Sequence, residues 1–187
     1  RIHRTDFRLL NKRGHIIEST FFQHVEIEDP IPCVVYLHAN GCCRLEALQY
    51  SDLVLSNRIS LFCFDFSGSG KSDGLYSSVG WFEQEDLECI IQYLYQTGRV
   101  SKVAVWGRSM GAITTILYAE KDPRINCVIL DSPFANFKRL IKETAKTKAS
   151  IPGFLSNGAF SLIRKTILNK AKFDIDHLRP IKYVERI

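Results

Sequence analysis

An apolar run, Val103-Ala-Val-Trp106, leads into Gly107-Arg108-Ser109-Met110-Gly111 and then straight into Ala112-Ile-Thr-Thr-Ile-Leu-Tyr-Ala119. The first stretch reads as a buried strand and the last as a compact apolar helix. The link between them leaves room for one sharp turn. A serine at the apex of such a turn takes a strained backbone conformation and lifts its hydroxyl above the sheet. Glycine two residues to either side removes the Cβ atoms that would strike the neighbouring strand and helix. The helix N-terminus aims free N–H groups and the positive end of its dipole at any oxyanion formed there. Ser109 is therefore the candidate nucleophile.

The rest of the chain supplies a frame for that turn. Asp6 to Leu10, a turn at Lys12-Arg-Gly14, and His15 to Ile27 read as a β-hairpin closed by Pro30 and Pro32. Cys33 to His38 and Ile59 to Phe64 are apolar without alternation, as is Ile125 to Leu130. Such runs predict parallel strands covered on both faces. Leu45 to Leu55, Trp81 to Tyr95 and Ser109 to Lys121 carry helical spacing between them. The predicted order is a hairpin, three strand–helix units and one more strand. This is an α/β, three-layer fold around a mostly parallel sheet. Active groups collect at the carboxyl ends of such strands, where the loops at 38–43, 65–70, 107–111 and 131–134 fall.

Residues 136–187 read differently from residues 1–135. Phe137 to Lys148 predicts one amphipathic helix, Ile151-Pro-Gly153 a break, and Leu162 to Phe173 a second helix. In that second helix Ile163, Ile167, Leu168 and Ala171 fall on one side. The spacing suggests a helical, cap-like segment following a core of residues 1–135. The net charge of +5 also divides there. Residues 138–187 hold 12 Lys/Arg against 4 Asp/Glu, while the preceding residues are net acidic. A basic segment with apolar faces, and with Phe154, Leu155 and Phe160 between its helices, suits peripheral contact with an anionic membrane surface. It equally suits a cap with a solvated basic face. Nucleic acid is not expected, because no aromatic and basic residues interleave along the strands.

With 187 residues and 45% apolar content the chain fits one domain with a sizeable core. No apolar run approaches the ~20 residues of a membrane span. Six cysteines occur without any Cys-x-x-Cys pair. That indicates neither a zinc site nor a redox motif, and no cofactor is expected. Cys33, Cys63 and Cys127 lie in strand-like runs as small hydrophobes. This usage suits a reducing compartment, hence the cytoplasm.

Taken together, four loops resemble the alpha/beta-hydrolase superfamily, in its serine-aminopeptidase-like and esterase/lipase-like branch. Tyr36-Leu37-His38-Ala39-Asn40-Gly41 resembles its His-Gly-Asn loop. Phe64-Asp65-Phe66-Ser67-Gly68-Ser69-Gly70-Lys71-Ser72 resembles its Asp-x-x-Gly-x-Gly-x-Ser loop. Trp106 to Ala112 resembles its nucleophile elbow, and Asp131-Ser-Pro-Phe134 the end of its sixth strand. The resemblance implies an acyl-transfer enzyme acting on a small-molecule or lipid acyl substrate. It implies Ser109 as nucleophile, with the backbone N–H groups of Met110 and Asn40 as oxyanion hole. Each such donor is worth roughly 10²–10³ in rate. Ala39 stands where the family usually has Gly. His38 matches a loop histidine rather than a base. In this fold the acid and the histidine follow the serine in the chain. They are expected beyond Ile187, with the last strands of the sheet, in a chain that begins without Met at Arg1.

Three other readings stay open on the sequence. His177, the one histidine after Ser109, would serve as base with Asp131 as acid. Gly68-Ser69-Gly70-Lys71-Ser72 ends like a phosphate-binding loop, although Asp65 stands where that motif has its first glycine. Finally, the fold would serve as a non-catalytic module that binds a lipid or protein partner.

Overall fold

The computed structural model describes residues 1–148 and 156–187. In it the apolar runs become a six-stranded sheet. The strands are β1 (Ile2–Leu10), β2 (Ile16–His24), β3 (Ile31–Leu37), β4 (Ser60–Phe64), β5 (Val100–Arg108) and β6 (Ile125–Asp131), in the spatial order β1-β2-β4-β3-β5-β6. The hairpin β1–β2 is antiparallel and joins β4 antiparallel. From β4 through β3 and β5 to β6 every pairing is parallel. The mixed α/β sheet of the sequence reading is thus present.

Alternate residues of the central strands feed two separate cores. Cys33, Val35 and Leu37 of β3, Phe62 and Phe64 of β4, and Val103 and Val105 of β5 face one cluster. Val34, Tyr36, Leu61 and Cys63 face the other, with Ala104 and Trp106 packed against it. Both faces of β3 from Cys33 on and of β4 are buried, so no polar residue alternates in and these runs carry no period of two. From Val103 on, β5 is buried on one face and half-buried on the other. β6, expected to be covered on both faces, is half-buried or exposed at the end of the strand order. The first cluster is closed by α2 (Glu83–Gln96) through Leu87, Ile90, Ile91 and Leu94, a spacing of three and four that lines one helix face. Burying Cys63 pushes its thiol pKa up to about 12. Cys33 is buried too, whereas Cys127 lies exposed on β6.

The segment read as one helix over Leu45 to Leu55 is two pieces. A 3-10 stretch (Arg44–Tyr50) passes into α1 (Ser51–Ser56). Side chains of its first turn are tied down outside the helix, the Arg44 guanidinium to Asp65 and Glu46 to the Ala39 N–H. The turn at Ser109 leads into α3 (Met110–Ala119), which is buried along its whole length as far as Tyr118.

The described residues divide into two compact units, Arg1–Pro133 and Phe134–Ile187. The second contains α4 (Phe137–Lys148), α5 (Ser156–Ala171) and three single 3-10 turns. The expected break at Ile151-Pro-Gly153, and Phe154 and Leu155, lie outside the described residues. Helix α5 starts six residues before Leu162, and its inward side differs from the one expected. Phe160 and Ala171 are buried, while Ile163 and Leu168 are exposed. Asp174 accepts the Arg164 guanidinium through two bonds of 2.7 and 2.5 Å, and the Arg164 side chain stays 43% exposed. At about 100° per residue, the exposed Leu162, Ile163 and Leu168 are scattered around the helix. Among the described residues no helix is long and apolar enough to cross a membrane.

The Arg164 guanidinium holds the Asp174 carboxyl down at about 2. A carboxylate whose pKa falls on folding contributes stability above its unfolded value, near 3.9, and loses it as pH drops through the folded one. We expect Arg164→Met to be only slightly less stable than wild type at pH 7, since the guanidinium is largely solvated and the pair is screened. The gap between wild type and variant should close between about pH 4 and pH 2. Urea unfolding of both proteins across that range measures it, and a gap independent of pH would contradict the assignment.

Candidate active site

Ser109 stands between β5 and α3 with φ 50° and ψ −109°, a conformation that L-residues rarely adopt. The strain is held from both sides. The Ser109 N–H donates to the Asp131 carbonyl at 2.8 Å, and the Ser109 carbonyl accepts from the Ile113 N–H at 3.0 Å. The flanking glycines are demanded by contact. A Cβ on Gly107 would lie 2.3 Å from the Gly111 carbonyl oxygen, and one on Gly111 would lie 2.2 Å from that of Leu37. The start of α3 thus presses against the end of β3, where Leu37 pairs with Gly107. Met110 is the first residue of α3 and is buried. In that position its N–H has no carbonyl four residues back within the helix.

The loop after β3 is set by two side chains and one backbone N–H. The buried His38 ring accepts the Phe66 N–H on Nε2 at 3.1 Å. Its proton therefore sits on Nδ1, which donates to the Ala39 carbonyl at 2.8 Å. Burial lowers the His38 pKa, and the neutral ring suits this double role. The Cys42 N–H also donates to the Ala39 carbonyl, at 3.1 Å. The Ala39 N–H is taken by Glu46 Oε2 at 2.9 Å. Within this loop that leaves Asn40, exposed at the corner of the turn, and Gly41. The left-handed position of the loop is Gly41, with φ +79°, and not Ala39. An alanine in place of the family's glycine is thereby accommodated without backbone strain.

Three salt bridges brace the surroundings. Arg108, the residue before Ser109, donates from Nη1 to Glu46 Oε1 at 2.9 Å, and its Nε lies 3.5 Å from Asp131 Oδ2. Glu46 raises the Arg108 pKa further above its ordinary value. Asp65, buried at the end of β4, accepts the Arg44 N–H at 2.6 Å, the Arg44 guanidinium, and the Lys71 N–H at 2.9 Å. A Cβ on Gly70 would strike the Asp65 carboxylate. The loop that ends like a phosphate cradle is therefore filled by a carboxylate of the chain itself. Asp131 also accepts from the Ser132 hydroxyl at 2.6 Å. His177 lies exposed in a 3-10 turn of the second unit.

Ser109, Met110 and the loop carrying Asn40 thus come from three elements that meet where β3, β5 and α3 abut. Glu46 and its bond to Arg108 escape a reading of motifs, because Glu46 belongs to none of them. The only local signal was an arginine and a glutamate two residues apart, opening a helical stretch directly after the loop.

The family described as "Serine aminopeptidase, S33" matches residues 42–168. The chain belongs to this family, and so to the alpha/beta-hydrolase superfamily. It is 26% identical over 156 residues to the uncharacterized protein YqkD of Bacillus subtilis, covering 79% of this chain and 51% of that protein. It is 25% identical over 137 residues to human Protein ABHD12B, covering 69% and 37%. The chain thus spans about half the length, or less, of these two relatives. Among solved structures it resembles the Pyrococcus furiosus esterase Pf2001, with a TM-score of 0.73 and 22% identity over 86% of this chain and 64% of that one. That likeness is one of fold.

Proposed function

We propose that this chain carries the nucleophile and the oxyanion hole of a serine hydrolase, acting on a carboxylester or lipid-type acyl substrate. The observation that carries the reading is the strained backbone of Ser109 at φ 50°, kept in place by glycines that cannot be replaced without collision. A non-catalytic binding module has no evident use for such strain. In the proposed reaction Ser109 Oγ bonds to the acyl carbon while its proton passes to a general base. The carbonyl oxygen gathers negative charge, which the N–H groups of Met110 and Asn40 receive. As the tetrahedral adduct collapses, the base returns the proton to the leaving oxygen, the alcohol departs, and an acyl-enzyme remains for water to cleave. Esters, thioesters and amides share these steps; the esterase Pf2001 of the same fold supports the first of them.

Covalent labelling of the full-length protein with a fluorophosphonate probe tests the proposal. Wild type should label, and Ser109→Ala should lose at least about 99% of the signal, as expected when a nucleophile is removed. Labelling that persists in Ser109→Ala would remove this serine from the mechanism. A His177→Ala variant should label as wild type if the base lies past Ile187, and should fall silent if His177 is the base.

A further inference from the structure

We propose that Glu46 is a positioning residue for the oxyanion hole, and that Arg108 couples it to the strand end bearing the nucleophile. The inference rests on the serine-hydrolase reading of Ser109. It starts from the geometry of one peptide. The Ala39 carbonyl and the Asn40 N–H belong to the same planar trans unit and point in opposite directions. Bonds from His38 Nδ1 and the Cys42 N–H to that carbonyl therefore set which way the Asn40 N–H faces. They do so only if the preceding peptide is fixed as well. Its N–H, that of Ala39, is held by Glu46 Oε2 at 2.9 Å. Both peptide planes around Ala39 are then determined, and the Asn40 N–H has no soft rotation left on that side.

Glu46 is itself anchored. Its other oxygen accepts from Arg108 Nη1 at 2.9 Å, and its side chain is 10% exposed. Arg108 directly precedes Ser109, and its Nε approaches Asp131, whose carbonyl accepts the Ser109 N–H. One carboxylate thus connects the loop bearing one proposed oxyanion donor to the turn bearing the nucleophile and the other donor. A misplacement of about 1 Å in such a site costs up to about 10²-fold in rate. Positioning of this kind acts on the transition state more than on substrate binding, so it should appear in kcat.

The experiment is steady-state hydrolysis of p-nitrophenyl acetate by the full-length protein, with fluorophosphonate titration to count working sites. Glu46→Ala should lower kcat per titrated site by about 10- to 100-fold, a part of the roughly 10²–10³ that a lost donor costs. KM should stay within about threefold. Glu46→Gln keeps an oxygen for the Ala39 N–H and should recover most of kcat, to within about threefold of wild type. Arg108→Met should fall between the two. Wild-type kcat per site in Glu46→Ala overturns the proposal. So does a loss that the Gln variant shares in full, or one that vanishes once only titrated sites are counted. Ser109→Ala runs in parallel. If it still hydrolyses the ester, the reading beneath the proposal fails. If it is silent while Glu46→Ala is normal, the positioning role alone fails.

Discussion

Gly111→Ala should leave the protein unable to hold its fold at 37 °C. The added methyl would sit 2.2 Å from the Leu37 carbonyl oxygen and 2.7 Å from the Leu37 Cβ. A flexible side chain can swing away from such a contact, but a backbone atom of β3 cannot. β3 is hydrogen-bonded on both sides, to β4 and to β5, so a shift there moves the middle of the sheet. Ordinary overpacking costs about 1–3 kcal/mol. A collision with fixed backbone belongs in the upper tail, on the order of 4–5 kcal/mol, against a total stability of roughly 5–15 kcal/mol. Gly107→Ala meets the Gly111 carbonyl in the same way and should behave alike. Gly158 on α5 is the control. A Cβ there meets nothing within 4 Å, and alanine should stabilise by about 0.5–1 kcal/mol through its helix preference. Thermal melts of the three variants compare these cases. A Gly111→Ala protein melting within a few degrees of wild type would show that α3 can move away from β3.

What could be read in advance follows the range of the forces involved. The turn was legible because strand, turn and helix follow one another within seventeen residues, and because Gly107 is demanded by Gly111 of the same turn. That Gly111 is demanded in its turn by Leu37 of β3 could not be read locally. The parallel strands were legible because burial on two faces erases alternation within six residues. Helix α5 departs from the expected face at Ile163 and Leu168, which are exposed. Counting apolar positions also does not show that Arg164 is held by Asp174, ten residues further on. Ion pairs depend on partners, and partners are not local. Glu46 illustrates the same limit more strongly: its bonds run to Ala39, seven residues back, and to Arg108, 62 residues ahead. Ala39, standing where the family usually has glycine, needs no left-handed backbone, because that position of the loop is Gly41, two residues on.

Asp65 and Arg44 should prove strongly coupled when each is removed alone and together. Asp65 is 1% exposed and the Arg44 side chain 12%, so neither charge has water to fall back on. Asp65→Ala leaves the Arg44 guanidinium with only Thr20 Oγ1, at 3.2 Å. It also strips the Arg44 and Lys71 N–H groups of their acceptor. Breaking a buried pair from one side costs about 3–5 kcal/mol, because an uncompensated charge is left behind. Removing the second partner takes that charge away. Asp65→Ala with Arg44→Met should therefore be more stable than the sum of the single losses implies, by about 2–3 kcal/mol. It should not return to wild type, since the Lys71 N–H still lacks the bond that closed its loop. Urea unfolding of the four proteins completes the cycle. Additive losses would mean that water enters the 42–46 and 65–72 loops and solvates each charge separately. In that event the loop bearing Asn40, which Glu46 ties to this same segment, would be far less rigid than its hydrogen bonds imply.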